Sequence, residues 1–410
     1  MALLKRPAAL RAPAPTAPVD VVVVGAGIIG AACADQLAAA GLAVTVVERT
    51  AVGAGTTGAG EGNILVSDKE PGPELDLALL ANELWRRLGD ELGPELALET
   101  KSGLVVATGD AELAGLHRLA ADQATAGVRV ERLGVGQARS LEPYLTPELA
   151  GAVRYPQDMQ VQPVLAAALL LRRARRHGAT LRTATTVTGI DLDRAGRVAG
   201  VRTDAGPIAA GWVVNAAGLA AGAVAALAGA RLPIQPRRGY LLVTEPLPPT
   251  IRAKVYDAGY VSNVSSDDAQ LQTSTVVEAT DGGTILIGAS RERVGLDPGL
   301  RIDVLARLAR QAVRLFPVLA GVQAIRAYRG FRPYSPDHLP VIGVDPAVPG
   351  LLHAAGHEGA GIGLAPATGL LVRQLITGEV PALDPAPFRP GRPTLTPEPS
   401  DNGDPSRAAA

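Results

Sequence analysis

The chain has 410 residues, a formal net charge of −1 and 47% hydrophobic residues. This length suits two domains, and the balanced charge argues against nucleic acid or an anionic membrane surface as the main partner. The single cysteine, Cys33, excludes an internal disulfide and a cysteine-ligated cluster within the chain. No run of 18 apolar residues is present, and the proline-interrupted residues 1–17 lack the apolar core of a signal peptide. We expect a cytoplasmic protein with no membrane span and a disordered arm over residues 1–17.

The chain is organised around residues 21–49, VVVVGAGIIGAACADQLAAAGLAVTVVER. The pattern predicts a strand, a glycine turn, a helix and a second strand that ends at Glu48. Gly25 permits the tight turn, Gly27 lets a pyrophosphate approach the backbone, and Gly30 allows helix and strand to pack closely. The helix N-terminus offers free N–H groups to phosphates, and the Glu48 carboxylate suits the ribose hydroxyls. The sequence therefore predicts a dinucleotide-binding unit.

The remaining elements follow along the chain. Residues 52–62 predict a glycine-rich loop that returns to the nucleotide, with Thr56 and Thr57 as candidate phosphate or flavin contacts. Helices are predicted over residues 73–92, 110–126, 135–141, 163–177, 219–230 and 303–316, and from the glycine-rich segment 356–363 to residue 376. Strands are predicted over residues 103–108, 128–133, 180–201, 212–218, 239–244, 255–264, 271–277, 284–290, 327–334 and 351–355. The four strands between residues 239 and 290 predict one antiparallel sheet, and residues 383–410 predict a disordered tail.

A GxGxxG motif by itself is compatible with NAD or FAD, but three features favour FAD. Pieces suited to nucleotide binding are spread over the whole chain, as a long two-part cofactor requires. Gly218 ends a predicted strand that can pass beside the first glycine turn. Residues 359–363, GAGIG, form a second glycine-rich helix start. A helix N-terminus there can stabilise the negative charge of a reduced flavin.

Five segments resemble the D-amino-acid-oxidase superfamily of FAD-dependent oxidoreductases, which includes glycine oxidase and sarcosine oxidase. They are the 21–49 segment, WVVNAAG, GTILIGASRERVGLD, FRPYSPDHLPVIG and GHEGAGIGLAPATGLLVRQLITG. The resemblance covers nearly all of residues 18–380. A sixth segment, GNILVSDKEPGPELDLALL, is most similar to the catalytic β-type subunits of heteromeric dehydrogenases such as opine oxidase, D-hydroxyproline dehydrogenase and hydrogen cyanide synthase.

The resemblance implies an α/β fold with a Rossmann-like FAD-binding domain of the glutathione-reductase type. The second domain is an α+β substrate domain with a mainly antiparallel sheet. The expected boundaries are residues 18–75, 151–225 and 328–382 for the FAD-binding domain, and 76–150 and 226–327 for the substrate domain. The resemblance also implies a reaction. Hydride passes from the α-carbon of an amino acid or related carboxylated amine to flavin N5, and the imine product hydrolyses.

Four residues are candidates for substrate binding or catalysis. Arg332 matches the family arginine that binds both oxygens of the substrate carboxylate. The alternative is a surface arginine before a proline turn. Tyr240 and Tyr260 lie on predicted strands over the flavin, where each is either a substrate contact or an ordinary sheet aromatic. His357 matches a family position beside the flavin, with a structural role as the alternative. His353 and His357 lack further ligands nearby in sequence, so no metal site is predicted.

The predicted FAD contacts combine the glycine turn, the acid after the second strand with the residue that follows it, the early loop (residues 52–62) with the residue that follows it, and three later segments. They are Gly25, Gly27, Ile28, Ile29, Gly30, Glu48, Arg49, Thr56, Thr57, Gly62, Asn63, Val187, Ala217, Gly218, Gly359, Ala360, Gly361 and Ile362.

Departures from the family pattern refine the expectation. Some relatives attach flavin covalently through Cys or His, but no cysteine follows Cys33 and no histidine precedes His117, so noncovalent FAD is predicted. No lysine lies in a motif like the one that activates oxygen in sarcosine-oxidase-like members, which favours a dehydrogenase over an oxidase. The subunit resemblance implies a second flavoprotein or a ferredoxin-like subunit as a candidate partner.

Two alternative functions remain at this stage. One is a flavin-carrying, non-catalytic subunit of a heteromeric dehydrogenase, which would have no need of a carboxylate-binding arginine. The other is a nicotinamide-dependent dehydrogenase, which the colour of the purified protein distinguishes from a flavoprotein.

Overall fold

A computed structural model describes residues 18–260 and 268–395. The predicted arm over residues 1–17 and residues 396–410 of the predicted tail lie outside this range. Strands occupy β1 Val19–Val24, β2 Val44–Val47, β3 Asn63–Ile64, β4 Gly103–Ala107, β5 Glu131–Leu133, β6 Gly151–Tyr155, β7 Met159–Gln160, β8 Thr180–Arg182, β9 Val187–Leu192, β10 Val198–Thr203, β11 Gly206–Asn215, β12 Gln235–Thr244, β13 Lys254–Asp257, β14 Gln272–Ala279, β15 Ile285–Arg291, β16 Ala324–Tyr334, β17 Val341–Val344 and β18 Leu351–Ala355. Helices occupy α1 Ile28–Ala39, α2 Pro73–Leu92, α3 Asp110–Thr125, α4 Val135–Leu141, α5 Pro163–Arg176, α6 Ala221–Ala226, α7 Ile302–Leu315 and α8 Gly361–Thr377.

The first sheet has the order β17-β18-β11-β1-β2-β8, and β9 and β10 continue it from β11. β1 pairs in parallel with both β2 and β11, so its carboxyl end lies between theirs. Both faces of this sheet are covered, which explains the nearly continuous valines of β1 and β2. The predicted strand–turn–helix–strand unit is confirmed.

Helices α1 and α8 pack together on one face of the first sheet. Their backbones come very close at Gly369, where a Cβ would lie 2.5 Å from the carbonyl oxygen of Ala32. This close contact holds the amino ends of the two helices at one edge of the sheet, beside the carboxyl ends of β1 and β18. Two helix N-termini therefore face the same region.

The second sheet has the order β16-β12-β15-β14-β13-β4-β6-β5 and is antiparallel except between β13 and β4. One face of it packs against α7, whose buried side chains include Val304, Leu308 and Ala312. The other face looks toward the first sheet. The mostly antiparallel substrate sheet is thus confirmed, as is the α/β fold with a mixed FAD-binding sheet.

The strand predicted over residues 255–264 is wrong beyond its first three residues. β13 ends at Asp257, and residues 258–260 form a helical turn, while residues 261–264 lie outside the described residues. The Asp257 Oδ1 atom accepts a hydrogen bond from the backbone N–H of Tyr260 at 3.0 Å, which stabilises the turn. Tyr260 is therefore not on a strand.

Two strands depart from the expected domain boundaries. β6, placed with the FAD-binding domain by the boundary at residue 151, pairs with β4 and β5 in the second sheet. β16, divided by the boundary at residue 328, pairs along its whole length with β12. Local sequence carries no information on which distant strand a given strand will pair with.

Predicted disorder over residues 383–395 is also wrong. Phe388 is 1% exposed and Leu395 is 5% exposed, so the segment is anchored by apolar side chains. Arg392 adds a buried ion pair in which its Nε donates to Asp337 at 2.6 Å. The proline content, which suggested disorder, instead accompanies short 3₁₀ turns.

Candidate active site

A cavity of about 570 Å³ lies between the two sheets, and we call it the flavin cavity. Its lining comes from the carboxyl ends of β1, β2 and β11, the early loop, the start of α8, and one face of β12 and β16. A volume of this size is within the range of small-molecule and cofactor sites. All the predicted FAD contacts except Gly30 and Ala360 line it.

The glycine turn forms one end of the flavin cavity. Gly25 has φ +108°, and a Cβ there would lie 2.5 Å from the carbonyl oxygen of Ala216, so a side chain is excluded. Gly27 is the N-cap of α1, and the Ile28 N–H donates to Thr57 Oγ1 at 3.0 Å. Gly30 does not line the cavity but supports the turn, because a Cβ there would lie 2.0 Å from the Gly25 carbonyl oxygen.

Glu48 also belongs to this end of the cavity. One carboxylate oxygen accepts a hydrogen bond from the Ala26 N–H at 2.9 Å, and the other accepts from the Thr50 N–H at 2.9 Å. The carboxylate is thereby held beside the glycine turn, at the position where the motif requires a ribose acceptor.

The middle of the cavity is formed by the early loop and the start of α8. Gly359, Gly361 and Ile362 present the helix N-terminus to it, whereas Ala360 lines a neighbouring cavity. Asn63 Oδ1 and Glu61 Oε1, from the loop, are buried without a hydrogen-bond partner among the described residues. The helix N-terminus suits the anionic groups of FAD, and the two unpaired acceptor oxygens suit its N–H and O–H donors.

Arg332 marks the other end of the cavity. It faces inward from β16, opposite Arg237 of β12, and its Nη1 donates to the Ser290 carbonyl at 2.9 Å. A Cβ at Gly239 would lie 2.5 Å from Arg332 Nη1, so glycine leaves the room that the guanidinium occupies. Burial, together with the charge of Arg291, lowers the pKa of Arg332 to about 10, which leaves it charged at neutral pH.

The two predicted tyrosines are placed differently. Tyr240 reaches the cavity with its strand, but its ring packs in the core on the α7 side and its hydroxyl donates to the Gly299 carbonyl at 2.8 Å. Tyr260 lines the cavity from its helical turn, with its ring centroid 5.3 Å from that of Tyr256 and 4.7 Å from Cζ of Arg291. Tyr260, and not the Tyr240 hydroxyl, is thus available beside Arg332.

His357 lines the cavity as a neutral side chain. Burial lowers its pKa to about 3, and its Nε2 lies 3.0 Å from Thr368 Oγ1. Because that hydroxyl donates to the Leu364 carbonyl, we assign His357 Nε2 as the donor to Thr368. His353 lies elsewhere, on β18 of the first sheet, with its ring between Asn215 and Asp345. No cluster of potential metal ligands is present in the described ranges.

Sequence reasoning missed three charged residues at this site: Glu61, Arg291 and Glu358. Glu61 lies in the early loop, and its negative charge raises the pKa of Arg332 against the larger effect of burial. Glu358 accepts a hydrogen bond from Arg237 at 2.7 Å. Burial by itself raises the pKa of Glu358, but His338 and Arg237 lower it to about 2. Arg291 and Glu358 lie within segments that carry the family resemblance and Glu61 lies in the predicted glycine-rich loop, but only the fold shows that all three are close to Arg332.

Comparison with known proteins identifies the family. The family model described as FAD dependent oxidoreductase (DAO) matches residues 20–375. The chain belongs to the DAO family of FAD-dependent oxidoreductases. It is 31% identical over 332 residues to hydrogen cyanide synthase subunit HcnC of Pseudomonas aeruginosa, covering 79% of this chain and 75% of that one. It is also 31% identical over 350 residues to glycine oxidase of Geobacillus kaustophilus, covering 84% and 89%.

Solved structures of DAO-type enzymes agree with this assignment. The crystal structure of the Geobacillus kaustophilus glycine oxidase matches with a TM-score of 0.83 at 30% identity, over 93% of this chain and 100% of that chain. The structure of L-proline dehydrogenase from P. horikoshii also gives a TM-score of 0.83, at 26% identity, over 92% and 98%. As a DAO-family enzyme, the chain is an FAD-dependent oxidoreductase. No helix in the described ranges is both long and apolar enough to cross a membrane.

Proposed function

We propose that this enzyme oxidises the C–N bond of an amino acid or a related carboxylated amine, with Arg332 binding the carboxylate. The observation that carries the proposal is the state of the Arg332 guanidinium. It is charged and donates one hydrogen bond, to Ser290, within the described chain. Its other nitrogens have no partner among the described residues and remain accessible from the cavity. A planar donor with free N–H groups suits a carboxylate.

Relatives support the same substrate class. Their names include glycine oxidase, L-proline dehydrogenase and iminodiacetate oxidase, whose substrates are carboxylated amines. The last is 27% identical to this chain and matches its structure with a TM-score of 0.77.

The chain's own residues position the substrate and shape its charge environment. The glycine turn, Glu48 and the start of α8 would hold FAD, which supplies the two-electron acceptor when bound. Arg332 anchors the carboxylate, and Glu61 lines the same cavity, where its carboxylate can accept a hydrogen bond from the substrate amine. His357 is neutral throughout the physiological range and therefore serves as a packing and hydrogen-bonding group. No protein base is required if the amine arrives neutral.

We also propose that FAD is held noncovalently. Cys33 is buried on α1, where burial raises the pKa of its thiol to about 12, and it does not line the flavin cavity. The early loop contains neither cysteine nor histidine. Neither Cys33 nor the early loop therefore offers a point of covalent attachment for the flavin.

More specifically, we propose that the enzyme works as one subunit of a heteromeric assembly. HcnC is a subunit of hydrogen cyanide synthase, and the segment GNILVSDKEPGPEL resembles that branch. In such an assembly the electrons leave for a cofactor on a second flavoprotein or ferredoxin-like subunit. Peroxide production by the isolated chain, at a rate equal to flavin reduction by substrate, would contradict it.

Anaerobic flavin reduction tests the central proposal. The purified protein is mixed with a panel of amino acids and N-substituted glycines, and bleaching of the flavin absorbance is followed. Matched amines without the carboxylate, such as methylamine against glycine, serve as controls. We expect carboxylated amines to reduce the flavin faster than their decarboxylated partners. Equal rates across every matched pair would instead favour a non-catalytic, flavin-carrying subunit or a different substrate class.

A further inference from the structure

A second cavity of about 200 Å³ adjoins the flavin cavity, and we call it the outer cavity. Residues 68–74, the end of β15 and the loop before α8 contribute to its lining. Tyr260, His357, Glu358 and Gly359 line both cavities, so a ligand in one lies directly beside the other.

Arg291, the last residue of β15, lines the outer cavity. It is 4% exposed, and its side chain makes no hydrogen bond or ion pair with any residue of the described ranges. Its guanidinium lies over the Tyr260 ring at 4.7 Å. Its guanidinium nitrogens remain accessible from the cavity. A buried arginine in this state is a donor without an acceptor.

The other buried charges around the outer cavity already have partners. Lys69 forms an ion pair with Asp68 at 2.6 Å and lies 3.9 Å from Glu74, where burial raises the pKa of the Glu74 carboxyl to about 7. The Glu358 carboxylate is bound by Arg237. Among the described lining residues, this leaves Arg291 as the buried charge without a direct hydrogen bond or ion pair, although its positive charge also helps to lower the pKa of the Glu358 carboxyl.

Arg291 and Arg332 also act on each other. The positive charge of Arg291 is the strongest charge effect on Arg332, after burial, in lowering its pKa. Both guanidinium charges likewise oppose the rise in the Tyr260 pKa that burial causes. Two like charges near one buried residue repel, and that repulsion is relieved when anions bind.

From this arrangement we propose that Arg291 binds a second anionic group of the substrate, so that the preferred substrates are amines carrying two carboxylates. The α-carboxylate lies on Arg332 in the flavin cavity, and a short chain passes Tyr260 to place the second carboxylate on Arg291. The outer cavity has room for a short carboxyalkyl group and not for a large side chain. The inference rests on the proposed role of Arg332.

Binding of unreactive acids to the FAD-loaded enzyme tests the subsite without turnover. Glutarate and butyrate differ by one carboxylate, and their dissociation constants are measured by calorimetry and by perturbation of the flavin spectrum. We expect Arg291→Gln to raise the dissociation constant of glutarate by about 10- to 100-fold, because the hydrogen bonds to its second carboxylate are lost. The dissociation constant of butyrate should not change. Arg291→Lys should fall between, and the exposed Arg307→Gln on α7 is the matched control.

The possible outcomes separate this inference from the proposed function. Equal weakening of glutarate and butyrate by Arg291→Gln would show that both arginines share one carboxylate, which overturns the subsite. An unchanged dissociation constant for both acids would show that Arg291 only packs against its neighbours, and this result would also overturn the subsite. Arg332→Met should weaken both acids, and if it weakens neither, the proposed function fails independently of Arg291. Melting temperature and FAD content verify that the variants are folded.

A kinetic comparison gives a second readout. Iminodiacetate and sarcosine also differ by a single carboxylate, and anaerobic reduction of the flavin is measured with each. In Arg291→Gln, the apparent dissociation constant for iminodiacetate should rise about 10- to 100-fold while the limiting rate of flavin reduction changes little, and both constants for sarcosine should be unaffected. A parent enzyme that binds sarcosine as tightly as iminodiacetate would contradict the subsite.

Discussion

The Glu48 carboxylate accepts a hydrogen bond from the backbone N–H of Ala26 at 2.9 Å. This contact joins the end of β2 to the glycine turn after β1. It leaves the carboxylate beside the cavity, so the same side chain holds the turn and is predicted to accept hydrogen bonds from a ribose.

Glu48→Ala should therefore weaken FAD binding without changing the rate of flavin reduction once FAD is saturating. Loss of a charge-assisted hydrogen bond costs on the order of 1.5–3 kcal/mol, or roughly a 10- to 100-fold rise in the dissociation constant. Titration of the apoprotein with FAD measures it. Asp20→Asn is a matched control, because Asp20 accepts from the Ala43 N–H at 2.7 Å at the opposite end of β1. Unchanged FAD affinity in Glu48→Ala would refute the ribose assignment.

Substitution of Arg332 should separate charge from geometry. Arg332→Met removes the guanidinium and Arg332→Lys keeps a charge without the planar pair of donors. Removing a buried charge partner costs on the order of 2–5 kcal/mol, so the second-order rate constant for flavin reduction should fall by tens- to thousands-fold, with lysine intermediate.

The same experiment has two internal controls. The rate of flavin reduction by an amine without a carboxylate should not change in Arg332→Met. Arg326 is an exposed arginine on the same strand, and Arg326→Met should reduce its flavin at the parent's rate. FAD content and melting temperature should barely change. Parent-like reduction of Arg332→Met by an amino acid would place the carboxylate site elsewhere.

Acid precipitation tests the noncovalent attachment of FAD. Unfolding destroys the cavity, and a flavin that is held by hydrogen bonds and packing alone is then released. We expect the yellow colour to remain in the supernatant with an FAD absorbance spectrum. Yellow colour in the washed pellet would show a covalent bond and direct attention to the cavity residue His357.

Glu142 gives a prediction for stability against pH. Its side chain is 0% exposed, its Oε1 accepts from the Arg252 N–H at 2.8 Å, and its Oε2 has no partner within the described chain. Burial raises the pKa of Glu142 to about 7, despite the opposing backbone hydrogen bonds. The folded state therefore keeps a proton that the unfolded state releases above its ordinary pKa, and this stabilisation is lost as pH rises through 7.

Glu142→Gln removes that titration. Relative to the parent, its free energy of unfolding should improve by up to about 3 kcal/mol as pH rises from 5 to 8. Thermal unfolding at several pH values measures the difference, and Glu148→Gln at an exposed position is the control. A difference between variant and parent that stays constant across this range would contradict the raised pKa.

Local sequence was sufficient for the nucleotide unit. Strand, turn, helix and acid lie within residues 21–49, and each follows from near-neighbour effects: backbone freedom at Gly25, apolar runs, and hydrogen bonding at a helix end. The helix α2, predicted over residues 73–92, matches the structure for the same reason. These features depend on residues close together in the chain.

Tertiary structure alone decided the end of the cavity that holds Arg332. Period-2 alternation places Tyr240 and Arg332 on strands, but which face meets the cavity depends on where α7 packs. β6, β16 and residues 383–395 likewise take their positions from distant partners. Arg291, Glu61 and Arg332 belong to three separate segments, and only the fold brings their charges to one site. The sequence therefore determined the family and the cofactor unit, whereas long-range packing decided which charged groups face the cavities.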